Sequence, residues 1–159
     1  MKKFLVWLMV CVIFTCGMSA AAESTTADPA LEPIVIHLED VAAQDIQPRL
    51  SYLATAFTNM QIVDGKAECQ ANYGIASDRW VRISMQLQRC KTNSTNDADW
   101  SGVQSWMKSW TTSGVHILAK TSSALSSGWY YRLQSTITVL DDNELPLEMV
   151  VLISAVRRY

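Results

Sequence analysis

Few residues in this chain have the type and spacing to do chemistry. Histidine occurs at positions 37 and 116 alone. A metal centre or a histidine-based triad needs convergent partners, and no local spacing supplies them. His116 lies in VHILAK, where alternation groups it with Leu118 and Lys120 against Val115, Ile117 and Ala119. Its expected place is the outward, solvated face of a strand. No nucleophile-elbow pattern accompanies the serines. Asp141 and Asp142 precede Asn143 and Glu144, but one acidic turn falls short of the ligand count of a dedicated calcium site. The expectation is a protein that is not an enzyme and carries no cofactor and no metal.

Cys69 and Cys90 are the remaining reactive pair. In an exported chain they have one intramolecular partnership, and closing that loop would stabilise the fold by about 3 kcal/mol on the chain-entropy model. Parity complicates it. Cys69 alternates with the apolar side of KAECQANY (Ala67, Ala71, Tyr73), whereas Cys90 alternates with the polar side of WVRISMQLQRC. A bulge or strand end before Cys90 would reconcile them. The disulfide is carried forward as a candidate for the structure to decide.

Aromatic side chains are the best binding lead. Trp100, Trp106, Trp110, Trp129, Tyr130 and Tyr131 crowd the C-terminal half. Tyr130 has parity opposite to Trp129 and Tyr131, so it is expected to face outward. Trp106 and Trp110 share a face if their segment is a strand. Rings with polar tips serve binding surfaces, and a sugar ring stacks well on tryptophan. The competing use of the same rings is to fill and close a core.

These residues must be positioned by elements, and the N-terminus comes first. Lys2 and Lys3 precede the apolar run Phe4–Cys16, and Ser19, Ala20, Ala21 and Ala22 follow. That is the layout of a secretory signal peptide over 1–22, cleaved after Ala20, Ala21 or Ala22. The run is too short for a permanent transmembrane helix, which needs about 20 apolar residues. Cleavage removes Lys2 and Lys3, leaving 11 basic against 15 acidic residues and a net charge near −4. Such a balance disfavours nucleic acid as a partner. Residues 23–45 read as a flexible leader, in which IVIHL suggests a short strand and LEDVAAQDI a weak helical stripe.

From residue 46 to 159 a period of two dominates. Val81, Ile83, Met85 and Leu87 alternate strictly with Arg82, Ser84, Gln86 and Gln88, giving one buried and one wet face. Lys66, Glu68, Gln70 and Asn72 line the polar side of the preceding strand, and Asp64-Gly65 is a tight-turn pair. Asp141 to Asn143 turn the chain before the last strand. That strand is apolar on both sides: Leu147, Met149, Val151 and Ile153 on one, Val150 and Leu152 on the other. It therefore needs a cover, supplied by the segment from Ile34 to Ile46, by a second copy in a homo-oligomer, or by another protein. WSGVQSWMKSW fits either a helix, through Trp100, Val103, Met107 and Trp110, or a strand. Six or seven short strands with turns between them predict an antiparallel sandwich or barrel.

Several stretches carry a resemblance: IQPRLSYL (46–53), DGKAEC (64–69), ISMQLQR (83–89), VQSW (103–106) and GWYYRLQSTITV (128–139). In this order the chain resembles an uncharacterised family of small secreted proteins of Gram-positive bacteria. The resemblance implies an immunoglobulin-like sandwich and favours a strand at VQSW. It transfers no activity. The chain departs from that pattern in its longer loop at 92–99, in Cys90 and in Pro146.

The expectation is therefore an all-β, immunoglobulin-like sandwich secreted to the extracellular space. Its expected work is non-catalytic binding of a cell-envelope glycan or protein, with Trp106, Trp110 and Tyr130 as ligand-binding aromatics. The alternative is a small secreted toxin or bacteriocin-like effector acting on a cell envelope.

Overall fold

The alternation in Trp80–Cys90 becomes an interior strand of the larger of two sheets, paired on both sides. The computed structural model describes residues 32–37 and 50–159. The expected signal peptide (1–22), and all of the leader 23–45 except 32–37, lie outside the described residues. In chain order the strands are β1 (Ile34–His37), β2 (Leu53–Val63), β3 (Lys66–Ile75), β4 (Trp80–Cys90) and β5 (Ser101–Trp110). They continue with β6 (Gly114–Ala124), β7 (Tyr130–Leu140), β8 (Pro146–Ile153) and the two-residue β9 (Arg157–Arg158). The larger sheet runs β1-β8-β7-β4-β5, with β9 also paired to β7, and the smaller runs β2-β3-β6. Every ladder is antiparallel except β1 on β8, which is parallel. The described residues are all-β, and the two sheets lie face to face instead of closing into a barrel.

The core lies between the sheets. Val81, Ile83, Met85 and Leu87 of β4 and Leu133, Ile137 and Val139 of β7 are fully buried against Met60, Ala67, Ala71 and Tyr73 of the smaller sheet. Each of the buried Val, Leu, Ile and Met side chains contributes about 1.5–3 kcal/mol by leaving water. Thr58 and Ser135 face each other across the core with hydroxyls 2.7 Å apart, so the two buried polar groups satisfy one another. Asp64 and Gly65 both take positive φ (48° and 73°), the backbone of a two-residue primed turn, and this fixes the β2–β3 register from Val63↔Lys66 outward.

Glu148 ties the two sheets together. It points inward from β8, is buried, and its carboxylate accepts from the backbone N–H groups of Ser51, Tyr52 and Leu53 at 3.1, 2.8 and 3.3 Å. Those three donors would otherwise be unmet where the chain enters β2. Charge-assisted bonds of this kind fix where β2 begins.

Several expectations meet their outcome here. Residues 101–110 form a strand, not a helix. Seven long strands and two short ones occur among the described residues. β1 pairs along the edge of the doubly apolar strand, with Ile34↔Val150 to His37↔Ile153, and Val150 and Leu152 pack into the core, while Leu147, Met149 and Val151 on its outer side stay half-exposed. The leader's short strand is thus part of the larger sheet.

Two readings are corrected. Cys69 and Cys90 form no disulfide, and both are free, buried thiols. The β4–β7 ladder runs without a bulge from Leu87↔Leu133 to Cys90↔Tyr130, so Cys90 keeps the outward parity of Gln86 and Gln88. Cys69 points into the core from β3, and the larger sheet separates the two sulfurs. The second correction concerns β6. His116 faces inward opposite Tyr73, and Leu118 faces inward opposite Ala71, whereas Val115 and Ile117 are 72% and 53% exposed. Both sides of VHILAK carry apolar residues, so pairing with β3 decides which side is buried.

Candidate functional site

The aromatic residues separate into different roles. Trp106 and Trp110 do share one face of β5, opposite Met85 and Val81, but it is the inner face. Both are half-buried and packed against the core. Trp110 meets Tyr73 edge-on at 6.0 Å between centroids, and His116 lies 5.4 Å from Trp110 and 5.2 Å from Tyr73. Together these rings close the side of the sandwich between β5 and β6. The His116 ring Nε2 is 2.8 Å from the Thr112 carbonyl, which holds the imidazole in place. Burial pushes the Tyr73 hydroxyl up to about 12. Lys108 and Lys120 have inward parity on these two edge strands yet remain exposed. Inward-pointing charges on edge strands discourage another chain from pairing there. Tyr130 faces outward as expected, half-buried, with the Arg158 guanidinium 5.7 Å from its ring. The three rings are therefore not brought together as one surface.

The outer face of the larger sheet carries amides whose bonding is internal. Gln88 donates to Gln86 at 3.0 Å and to Gln134 at 2.9 Å, and accepts from Arg132 Nε at 2.8 Å. Arg132 Nη1 pairs with Asp97 at 2.7 Å, and the guanidinium lies 4.3 Å from the ring of Trp100. The loop from Lys91 to Trp100 folds over this cluster, and the Trp100 indole N–H donates to the Ser94 carbonyl at 3.1 Å. Gln88, Cys90, Trp100 and Arg132 are all buried beneath it.

The outer face of the smaller sheet differs. Pairing places its side chains in rows across three strands: Gln61–Glu68–Thr121, then Asn59–Gln70–Ala119, then Phe57–Asn72–Ile117. In each row neighbouring Cβ atoms stand about 4.5–5.5 Å apart. Gln61 donates to Glu68 at 2.6 Å. Asn59, Gln70 and Asn72 make no side-chain hydrogen bond with any described residue. The small side chain of Ala119 leaves a dip, and an open groove of about 400 Å³ lies over it, lined by Asn59, Gln61, Glu68, Gln70 and Thr121, with Cys69 and Lys120 also at its wall. Half-buried Phe57 and exposed Ile117 stand at one end as an apolar border. Strands hold these groups more rigidly than a loop would, which suits a preformed binding surface.

This surface goes beyond the aromatic expectation. Glu68, Gln70 and Asn72 were legible as the polar side of one strand. Their partners Asn59 and Gln61 follow once the two-residue turn at Asp64-Gly65 is used to count the pairing outward. Elsewhere the titratable groups serve structure. Asp141 accepts from the backbone N–H of Asn143 and Leu145 at 2.8 Å each, and the Leu145 bond above all holds its carboxyl below the usual range. Asp78 is lowered likewise by the Ser113 N–H. Burial pushes the Cys69 thiol up to about 12. No group of three or more His, Cys, Asp or Glu among the described residues is placed to hold a metal ion. Comparison with protein-family models gives no match, and neither does comparison with curated proteins.

Proposed function

We propose that this chain is a secreted, non-catalytic binding module that holds its ligand on the outer face of the three-stranded sheet. The observation that carries the reading is the cluster of amides at Asn59, Gln70 and Asn72, on two adjacent cross-strand rows, whose hydrogen-bonding capacity no side chain among the described residues takes up. An amide bound to nothing in its own fold is available to a partner, and rigid strands spare the partner much of the ordering cost. The same reading takes the sandwich to be immunoglobulin-like. Supporting this, β1 lies parallel to β8, and β6 returns beside β3 after the β4–β5 hairpin in the other sheet, a Greek-key return. It also keeps the resemblance to small secreted proteins of Gram-positive bacteria and takes the target to be a glycan or protein of a cell envelope. Trp106 and Trp110 take a structural role in it, because their face is the inner one.

Retention of the exported protein on insoluble cell-envelope material tests the reading. Gln70→Ala and Asn59→Ala should stay folded and lose retention, while Tyr130→Ala should keep it. Full retention by both amide variants would overturn the reading.

A further inference from the structure

Resting on the reading above, we propose that the groove over Ala119 takes a neutral oligosaccharide, its hydroxyls bonded to the amides and its ring C–H face against the apolar border. Three observations bear on the class of ligand. First, an amide both donates and accepts from one planar group, and a sugar hydroxyl also does both. Gln70 and Asn59 therefore match hydroxyls without favouring either charge. Second, Glu68 and Lys120 both line the groove, so its wall carries one charge of each sign and selects no ionic chain by net charge. The Glu68 carboxylate has acceptor sites beyond the one that Gln61 fills, enough to bond two neighbouring hydroxyls. Third, the polar rows pass directly into Phe57 and Ile117 on either side of Asn72. A sugar ring presents polar edges and an apolar face, and this surface offers both within one or two strand repeats. The groove volume of about 400 Å³ is at the small end of ligand sites, suited to a short stretch of a chain instead of a large aromatic cofactor. A peptide is disfavoured by the same geometry. Peptides add to sheets through the free N–H and C=O groups of an edge, whereas the free groups here are side chains on a face.

Isothermal titration of the exported protein with neutral, anionic and peptide ligands tests this. The neutral probes are soluble hexose and N-acetylhexosamine oligosaccharides, the anionic probe is a uronic-acid oligosaccharide, and the peptides are extended ten-residue chains. A neutral oligosaccharide should bind with an affinity that changes less than twofold between low and high salt, because no ion pair is involved. Gln70→Ala should weaken it at least tenfold and Glu68→Gln severalfold. Ala119→Trp, which fills the dip from an exposed position, should abolish it while the melting temperature is retained. Stronger binding of the uronic-acid probe, with steep salt dependence, would overturn the proposal. So would a peptide that competes for the groove, or the failure of every neutral probe to bind. If the neutral probes fail while envelope retention still depends on Gln70 and Asn59, the choice of ligand is wrong and the binding face stands. If retention ignores both residues, the face itself is wrong.

Discussion

On the larger sheet Gln88 bonds to Gln86, Gln134 and Arg132, whereas on the smaller sheet Asn59, Gln70 and Asn72 bond to no other side chain among the described residues. Residue type does not separate the two faces, since both are amide-rich. What separates them is the neighbours. On the larger sheet Arg132 stands across from Gln88, and a loop carrying Asp97 and Trp100 closes over both. On the smaller sheet the neighbours of Gln70 are Asn59 and Ala119, and no described segment covers them. A closed amide network contributes to the fold, because its buried groups bond one another, with Arg132 Nη2 the one buried nitrogen of the cluster left without a hydrogen bond among the described residues. An open one contributes little to the fold and leaves its valence for something else.

Stability measurements sharpen that contrast. Fully buried Leu87, common to both regions as part of the core, sets the scale: Leu87→Ala should cost about 2–5 kcal/mol in urea unfolding. Gln88→Ala on the closed face strands Arg132 Nε, which is buried, and removes a partner from the more accessible oxygens of Gln86 and Gln134. A cost of about 1–3 kcal/mol is expected, the usual penalty for an unmet buried polar group. Gln70→Ala on the open face should fall within about 0.5 kcal/mol of wild type. Equal costs for Gln88→Ala and Gln70→Ala would erase the distinction between the faces.

The cysteines probe what each layer buries. Cys69 lies in the core and Cys90 under the loop of the closed face. With the Cys69 thiol pushed up to about 12 by burial, it holds almost no thiolate at neutral pH. A thiol reagent should label neither residue in the native protein and both after denaturation without reductant. Absence of labelling after denaturation would mean a disulfide, and with it a different placement of β4 against β3.

The smallest effect expected is at the Asp141 turn, which belongs to neither face. Its carboxyl is held below the usual range by backbone N–H groups, so the charged form is the stabilising one. That contribution is present above the unfolded value near about 3.9 and is lost as pH falls through the lower folded value. Below about pH 4, Asp141→Asn should narrow its stability gap to wild type, as read from melting temperature against pH. A gap that widens on acidification would reverse the sign.

Much of this contrast can be read from the sequence, and the failures have physical causes. The alternation of β4 and the turn at Asp64-Gly65 are plain because each has one apolar side or one backbone requirement. The outward parity of Cys90 was equally plain, and the unbroken β4–β7 ladder kept it. β6 was misjudged because Val115, Ile117 and Leu118 make both its sides apolar, and only pairing with Tyr73 and Ala71 decides between them. That inversion puts Ile117 on the outer face, where it borders the amide rows. The helical spacing of Trp100, Val103, Met107 and Trp110 competed with the strand reading because β5 is an edge, buried on one side only. Most hidden was the state of the amides. Whether a glutamine on a strand is satisfied depends on cross-strand neighbours and on a covering loop, neither of which its own segment specifies.

Side-chain amide resonances, followed by NMR as soluble envelope polysaccharide is added, test the central claim most directly. The account predicts that the NH₂ signals of Asn59, Gln61, Gln70 and Asn72 move together while those of Gln86, Gln88 and Gln134 stay fixed. Movement of the second group with the first unmoved would contradict it.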